Sequence, residues 1–519
     1  MTTQQFDWIT DHRQRHTPPL RWWAIAALLL GVAFLLRSGQ FGNPLKGLDE
    51  QYYLLVGDHM LHGAIPYVDL WDRKPFGLFA LFAGIRLLGG DGVIQATIVA
   101  TLFAAATACV VTAIALRSAP RTAAILAGIG YLVALQVLWG GIGQTPVFYN
   151  LLTALSAWLV LDTAPTLQRR GDLVRVLSAM LLSGLAIQIK TNAAFEGAAL
   201  GLWLIWRAIR AGAPPRQLVA LAATMIFVAL LPTLAVAAGY AAIGHFNEFW
   251  YANVVSQFHK HGTLGQLALV RLGTMAGLSG PMLALLLVGC WRATRQWRRW
   301  HPEMVLLAMW SIAGLVDAFA IGGFWTHYAL PLAVPAAILS AHAFAAPRWG
   351  YIAFGIYIAY PMVDAIVLDR ISAGDETQLA ARTVAAIPDD VTTQCLLTYE
   401  GPVIYYHLKH ACLVTPFAFT GHLRSSAEAD ALGVDSAAAM KAALSRRPGT
   451  ILTVEGSLWK ERNLVNDRIV AAEIRRNYVA IARLPHTHQQ TGQEWIIVWR
   501  RKDLATGSRT LPGETPDFG

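Results

Sequence analysis

Apolar residues run through most of this chain in long blocks, separated by short polar connections. The blocks fall at residues 22–36, 76–89, 93–116, 122–140, 146–162, 174–189, 193–206, 218–240, 268–290, 303–321, 328–345 and 350–368. Most approach the ~20 residues that a helix needs to cross a bilayer. The pattern changes after about residue 370. Short apolar runs at 395–398, 450–454 and 495–499 read as strands. Stretches at 402–409, 436–445 and 465–478 read as helices between them. Alternating strand and helix predicts a small soluble α/β domain over residues 370–504. The Gly-, Thr- and Pro-rich end, 505–519, is expected to be disordered.

Composition supports the membrane reading. Of 519 residues, 55% are hydrophobic and only 14% charged, against about a quarter charged in ordinary soluble domains. The net charge of +9 does not point to nucleic acid, because the arginines cluster in short loops between spans, as in cytoplasmic loops. Arg13, Arg15 and Arg21 precede the first block, and no small-x-small cleavage site follows it. The block therefore reads as an uncleaved first helix with its N-terminus inside.

One block breaks the pattern. The stretch 76–89 is short, follows Lys74-Pro75, contains Arg86 and runs into Gly89-Gly90-Asp91-Gly92. If it does not cross, the loops holding Arg117/Arg121, Arg169/Arg170/Arg175, Arg207/Arg210/Arg216 and Arg292/Arg295/Arg298/Arg299 all lie inside. If it crosses, they all lie outside, against the positive-inside rule. The expected architecture is thus an all-α polytopic membrane protein of about eleven spans, over residues 1–369. It carries one juxtamembrane re-entrant helix, with the N-terminus in and the C-terminal domain out. Cys395 and Cys412 could pair on that outer side.

The charges then gather on the outer face. The first outer loop, 37–92, carries Asp49, Glu50, Asp58, His59, His62, Asp69, Asp72, Arg73 and Lys74. Ionisable groups beside a bilayer are costly and mark functional sites. A carboxylate such as Asp49 can take a proton from an attacking hydroxyl. Arg73 and Lys74 can meet an anion, and Lys190 can approach it from the membrane side. Lys190 also fits a snorkelling cation at a span end. His327, between Trp325 and Tyr328, fits an interfacial belt equally well. His59 and His62, three apart on one helical face, suit either a polar face or a metal.

The sequence Gly47-Leu48-Asp49-Glu50-Gln51-Tyr52-Tyr53, followed by Tyr67-x-Asp69-x-Trp71-Asp72-x-Lys74-Pro75 entering an apolar helix, resembles the GT-C glycosyltransferases. Within them it is most similar to the bacterial relatives of protein O-mannosyltransferases and of aminoarabinose lipid A transferases. Residues 186–191, ending in Lys190-Thr191, and 324–335, with His327-Tyr328, extend the match to roughly residues 20–370. The resemblance implies transfer of a sugar from a polyprenyl-phosphate carrier to a lipid, glycan or protein acceptor on the periplasmic face of the inner membrane. It makes Asp49 the base or a metal-linked carboxylate, Glu50 its neighbour and Lys74 a phosphate contact. Arg73, Lys190 and His327 join the phosphate side, and Tyr52, Tyr53, Asp72 and Gln144 are supporting residues. No organic cofactor is implied; a divalent cation is compatible. The second outer turn, Gly143-Gln144-Thr145-Pro146, lacks the acidic residue of many relatives, which weakens a two-carboxylate metal site unless Glu196 compensates. A lipid-linked glycan flippase, or an O-antigen ligase or polymerase, is the alternative. A transporter would favour midplane charges and repeated halves, and ligases favour a late outer loop.

Overall fold

The computed structural model describes residues 21–141, 143–165, 169–262, 265–296, 301–320, 322–456, 461–488, 492–505, 511 and 516. Most of the expected disordered tail lies outside the described residues. Among them, seven helices are long and apolar enough to cross a membrane. They include Trp22–Arg37, Val93–Ala115, Pro215–Ala242 and Pro302–Ala320. Helices Arg121–Val137, Thr145–Leu161, Arg170–Ile187 and Ala193–Arg210 complete the bundle.

Small residues let these helices approach closely. In Val93–Ala115 a stripe of Ala96, Ala100, Ala104 and Ala108 is buried, the small-residue packing typical of membrane helices. Thr101 and Thr112 return their hydroxyls to carbonyls four residues back, at 2.7 and 2.9 Å. Those polar groups are thereby satisfied without water. Any Cβ on Gly184 would come within 2.3 Å of the Ala229 carbonyl oxygen, so glycine sets how close Arg170–Ile187 and Pro215–Ala242 can come. The latter helix buries only Met225 and Tyr240. Its exposed Val219, Ile226, Phe227, Leu230 and Leu234 form a lipid-facing surface.

The stretch expected to lie along the membrane forms helix Phe76–Arg86. Eleven residues span only ~16 Å at 1.5 Å per residue, about half a bilayer. It packs on helix Leu48–Leu61, where a Gly57 Cβ would lie 2.6 Å from the Ala83 nitrogen. It also meets the end of Arg170–Ile187, where the Leu78 N–H donates to the Gln188 carbonyl at 3.0 Å.

The C-terminal region is built on a four-stranded sheet. β1 (Leu396–Thr398), β2 (Thr450–Glu455), β3 (Tyr478–His488) and β4 (Gly492–Arg501) lie in the order β1-β2-β4-β3. β1 and β2 are parallel, with Leu397 opposite Ile451. The other pairs are antiparallel, with Ile451 opposite Trp499 and Val479 opposite Arg500. Helices Ser436–Ser445 and Leu464–Asn477 cover the sheet, and Cys395 is bonded to Cys412. Strand β3 was not expected from the sequence. The boundary expected at Asp369 falls inside one continuous 38-residue helical run, Trp349–Ala386, just after a π-helical turn at Asp364–Leu368. The apolar signal stops near Leu368, while the helix runs on to Ala386.

The C-terminal region is seated directly on the loop 37–92. Gln51 accepts from the Ile404 N–H at 3.2 Å. The Trp71 N–H donates to the Pro416 carbonyl at 2.9 Å, and the His407 ring meets the Asp91 carbonyl at 2.7 Å.

Candidate active site

Helix Leu48–Leu61 begins at Gly47, whose φ of 72° favours glycine. This start places Asp49 and Glu50 in the first turn, where the helix dipole favours anions. At the far end of the loop, the Asp72 carboxylate accepts from the N–H groups of Arg73 and Lys74. The Tyr67 hydroxyl, on a residue with φ of 71°, donates to the Lys74 carbonyl at 2.9 Å. These contacts fix the turn that aims Lys74. Its ammonium lies 3.9 Å from Asp49 Oδ2, both side chains being 29% exposed. It also stands 5.5 Å from the centre of the Tyr53 ring. The Tyr53 hydroxyl lies beside Asp49 without reaching hydrogen-bond geometry.

The two acids differ in state. Burial pushes the Asp49 carboxyl up, but Lys74, His327 and Lys260 outweigh it and hold the group below the usual carboxylate range. Burial, then the charge on Asp49, pushes Glu50 up to about 8. At neutral pH the pair is therefore one carboxylate beside one carboxylic acid, the split environment expected of a working acid pair. Gln144 donates to Glu50 Oε2 at 3.3 Å, so the second outer turn supplies an amide where a carboxylate would have added charge.

The remaining expected residues divide. Lys190 is buried, stands 4.9 Å above the Tyr328 ring and has no carboxylate within ion-pair distance among the described residues. The His327 ring packs on Tyr328 at 4.8 Å, within electrostatic reach of Asp49, Lys74, Lys190 and Lys260. Arg73 instead pairs with Glu428 of the C-terminal region. Tyr52, one helical step from Tyr53, turns away from the acids. It donates to the Trp71 carbonyl at 2.8 Å and packs on Phe419 and His422. His59 and His62 each bond the carbonyl four residues back. Glu196 lies within the bundle and accepts from the Trp310 indole at 2.7 Å.

Two residues enter that the sequence did not single out. Lys260, 3.3 Å from Glu428, belongs to the cation cluster around Asp49. Lys260 had one signal, being among the few cations on the outer loops; Glu428 had none.

Among the described residues, no three His, Cys, Asp or Glu side chains converge as a metal site. Asp49 and Glu50 offer two adjacent carboxyls, with the Gln144 amide on Glu50, and a divalent cation there would need further oxygen ligands.

The whole frame matches known structures. ArnT from Cupriavidus metallidurans bound to undecaprenyl phosphate superposes with a TM-score of 0.60 at 16% identity, covering 92% of this chain and 98% of that one. The chain shares the fold of this ArnT. The apo form of the same ArnT gives 0.58 at 15% identity, with the same coverage. Archaeal oligosaccharyltransferase AglB from Archaeoglobus fulgidus, in complex with an inhibitory peptide and a dolichol-phosphate, gives 0.50 at 9% identity, covering 91% and 74%. No protein-family model matches the chain, and no curated protein matches it either. On this shared frame, the acids, Lys74 and the C-terminal region all meet at the loop 37–92.

Proposed function

We propose that the protein is an inverting glycosyltransferase that moves a sugar from a polyprenyl-phosphate donor to an acceptor hydroxyl on the outer face of the membrane. The observation that carries this reading is the Asp49–Lys74 pair, set among Lys190, Lys260 and His327 at the start of the bundle. In a single displacement the acceptor oxygen bonds to the anomeric carbon as the carbon–oxygen bond to phosphate breaks. The electron pair leaves on the phosphate oxygen, and the acceptor proton passes to Asp49. An ionised Asp49 suits a base, and the surrounding cations suit the charge that develops on phosphate. Lipid-facing helices provide a place for the polyprenyl tail.

The outward orientation is supported by the arginine-rich loops on the opposite side and by the Cys395–Cys412 bond, a linkage of oxidising compartments. The inner membrane of a bacterium, with the outer domain in the periplasm, fits both. Incubating the purified protein with radiolabelled polyprenyl-phosphate sugars and membrane extract tests the reading. Label should move to an acceptor with wild type and not with Asp49→Asn. No transfer from any such donor would refute it.

A further inference from the structure

Glu428 stands where the outer domain meets the cation cluster. One carboxylate oxygen pairs with Arg73 and the other lies 3.3 Å from Lys260 Nζ. The two cations come from remote places, the end of the first outer loop and the loop after helical segment 246–259. All three side chains are mostly buried, at 14% exposure for Glu428, 13% for Arg73 and 22% for Lys260. Arg73 Nη1 is buried with no hydrogen-bond partner among the described residues. A buried guanidinium nitrogen in that state is unfavourable and offers a ready donor to a further oxygen. Lys260 also acts on Asp49, so an anion bound at Arg73 and Lys260 would lie within electrostatic reach of the acids.

On the reading that the donor is a polyprenyl-phosphate sugar, we propose that Glu428 is a positioning residue that promotes product release. It is an internal anion that competes with the carrier phosphate for Arg73 and Lys260. The donor phosphate is a diester with one negative charge. When its bond to the anomeric carbon breaks, the electron pair stays on the phosphate oxygen. The spent carrier is then a monoester, approaching two negative charges near neutral pH. Glu428 repels the product more than the donor, and reclaims both cations as the product leaves. It is not required to seat the domain, which is already held by the continuous helical run Trp349–Ala386 and by the bonds at Gln51, Trp71 and His407.

The test uses the full-length protein in detergent micelles with Glu428→Gln, which removes the charge and keeps the shape. Undecaprenyl phosphate should bind roughly tenfold tighter, about one charge-assisted bond's worth. Turnover should fall while the KM for donor changes less. Inorganic phosphate serves as a second probe. Tightening there too shows that the headgroup charge suffices; tightening only with the lipid shows that the tail delivers it. Either supports the proposal. Unchanged or weaker binding of undecaprenyl phosphate by Glu428→Gln, with normal binding by wild type, overturns it and leaves the donor reading intact. Failure of wild type to bind undecaprenyl phosphate overturns both. Should Glu428→Gln not fold, Glu428→Ala is read by the same criteria. If neither folds, Glu428 is a strut and the proposal is wrong.

Discussion

Asp49 and Lys74 stand 3.9 Å apart although they lie 25 positions apart in the loop 37–92. Substituting each should therefore separate base from phosphate contact. Asp49→Asn should lose transfer by roughly 10²–10⁴-fold, the usual worth of a general base, while still binding undecaprenyl phosphate. Lys74→Ala should lose that binding by roughly 10–100-fold, as expected for a hydrogen bond to a charged group. Paired transfer and binding assays check this. Wild-type turnover in Asp49→Asn would end its candidacy as the base.

Glu50 should give the protein a pH signature. Its folded-state pKa is raised from 4.5 to about 8. A raised carboxyl contributes stability that is fully present below the unfolded value and is lost as pH climbs through the folded one. The unfolding temperature of wild type should thus fall between about pH 4.5 and about pH 8 relative to Glu50→Gln, which stays neutral throughout. Transfer should decline above that range as a second negative charge forms beside Asp49, and Glu50→Gln should resist the decline. Superimposable profiles for the two proteins would remove Glu50 from the acid pair.

Gly47 and Gly42 offer a controlled comparison. Both have positive φ, 72° and 75°, yet a Cβ on Gly47 would lie 2.4 Å from Glu50 Oε2 while one on Gly42 would meet nothing within 4 Å. Alanine at either site should cost about 1–2 kcal/mol in backbone strain. Only Gly47→Ala should also displace the acid pair and depress transfer well beyond its stability loss. Equal activity in the two variants would show that the Glu50 carboxyl need not sit where it does.

Orientation can be read with single cysteines at two exposed glycines, Gly244 and Gly212. A membrane-impermeant thiol reagent should label Gly244→Cys on intact cells. It should reach Gly212→Cys, in the loop with Arg207, Arg210 and Arg216, only after permeabilisation. The reverse pattern would invert the topology.

The sequence made some parts legible and hid others for definable reasons. Strands β1, β2 and β4 announce themselves as short apolar runs, and helix Ser436–Ser445 by its alanines and the Asp435 cap, which accepts from Ala438 at 2.6 Å. Strand β3 carries Arg483 and Pro485, which interrupt its alternation; its identity depends on pairing with β4. Asp49 and Lys74 are visible because one loop holds them both. Glu428 is not, because its role arises only where three separate segments converge. The expected phosphate role of Arg73 meets the same difficulty, since local sequence cannot disclose a competing carboxylate from the outer domain.

The continuous helical run Trp349–Ala386 has a consequence for how such proteins can diversify. At 1.5 Å and about 100° per residue it extends ~57 Å, well beyond a bilayer. One residue inserted after the π-helical turn Asp364–Leu368, and kept in α-helical geometry, would turn the whole C-terminal domain by about 100° and lift it by about 1.5 Å. Every contact with the first outer loop would then fall out of register together. Lengthening an interhelical loop elsewhere carries no such penalty. The outer domain is thus geared to the membrane domain, and a graft from a relative would have to match the phase of this shaft before any surface residue mattered.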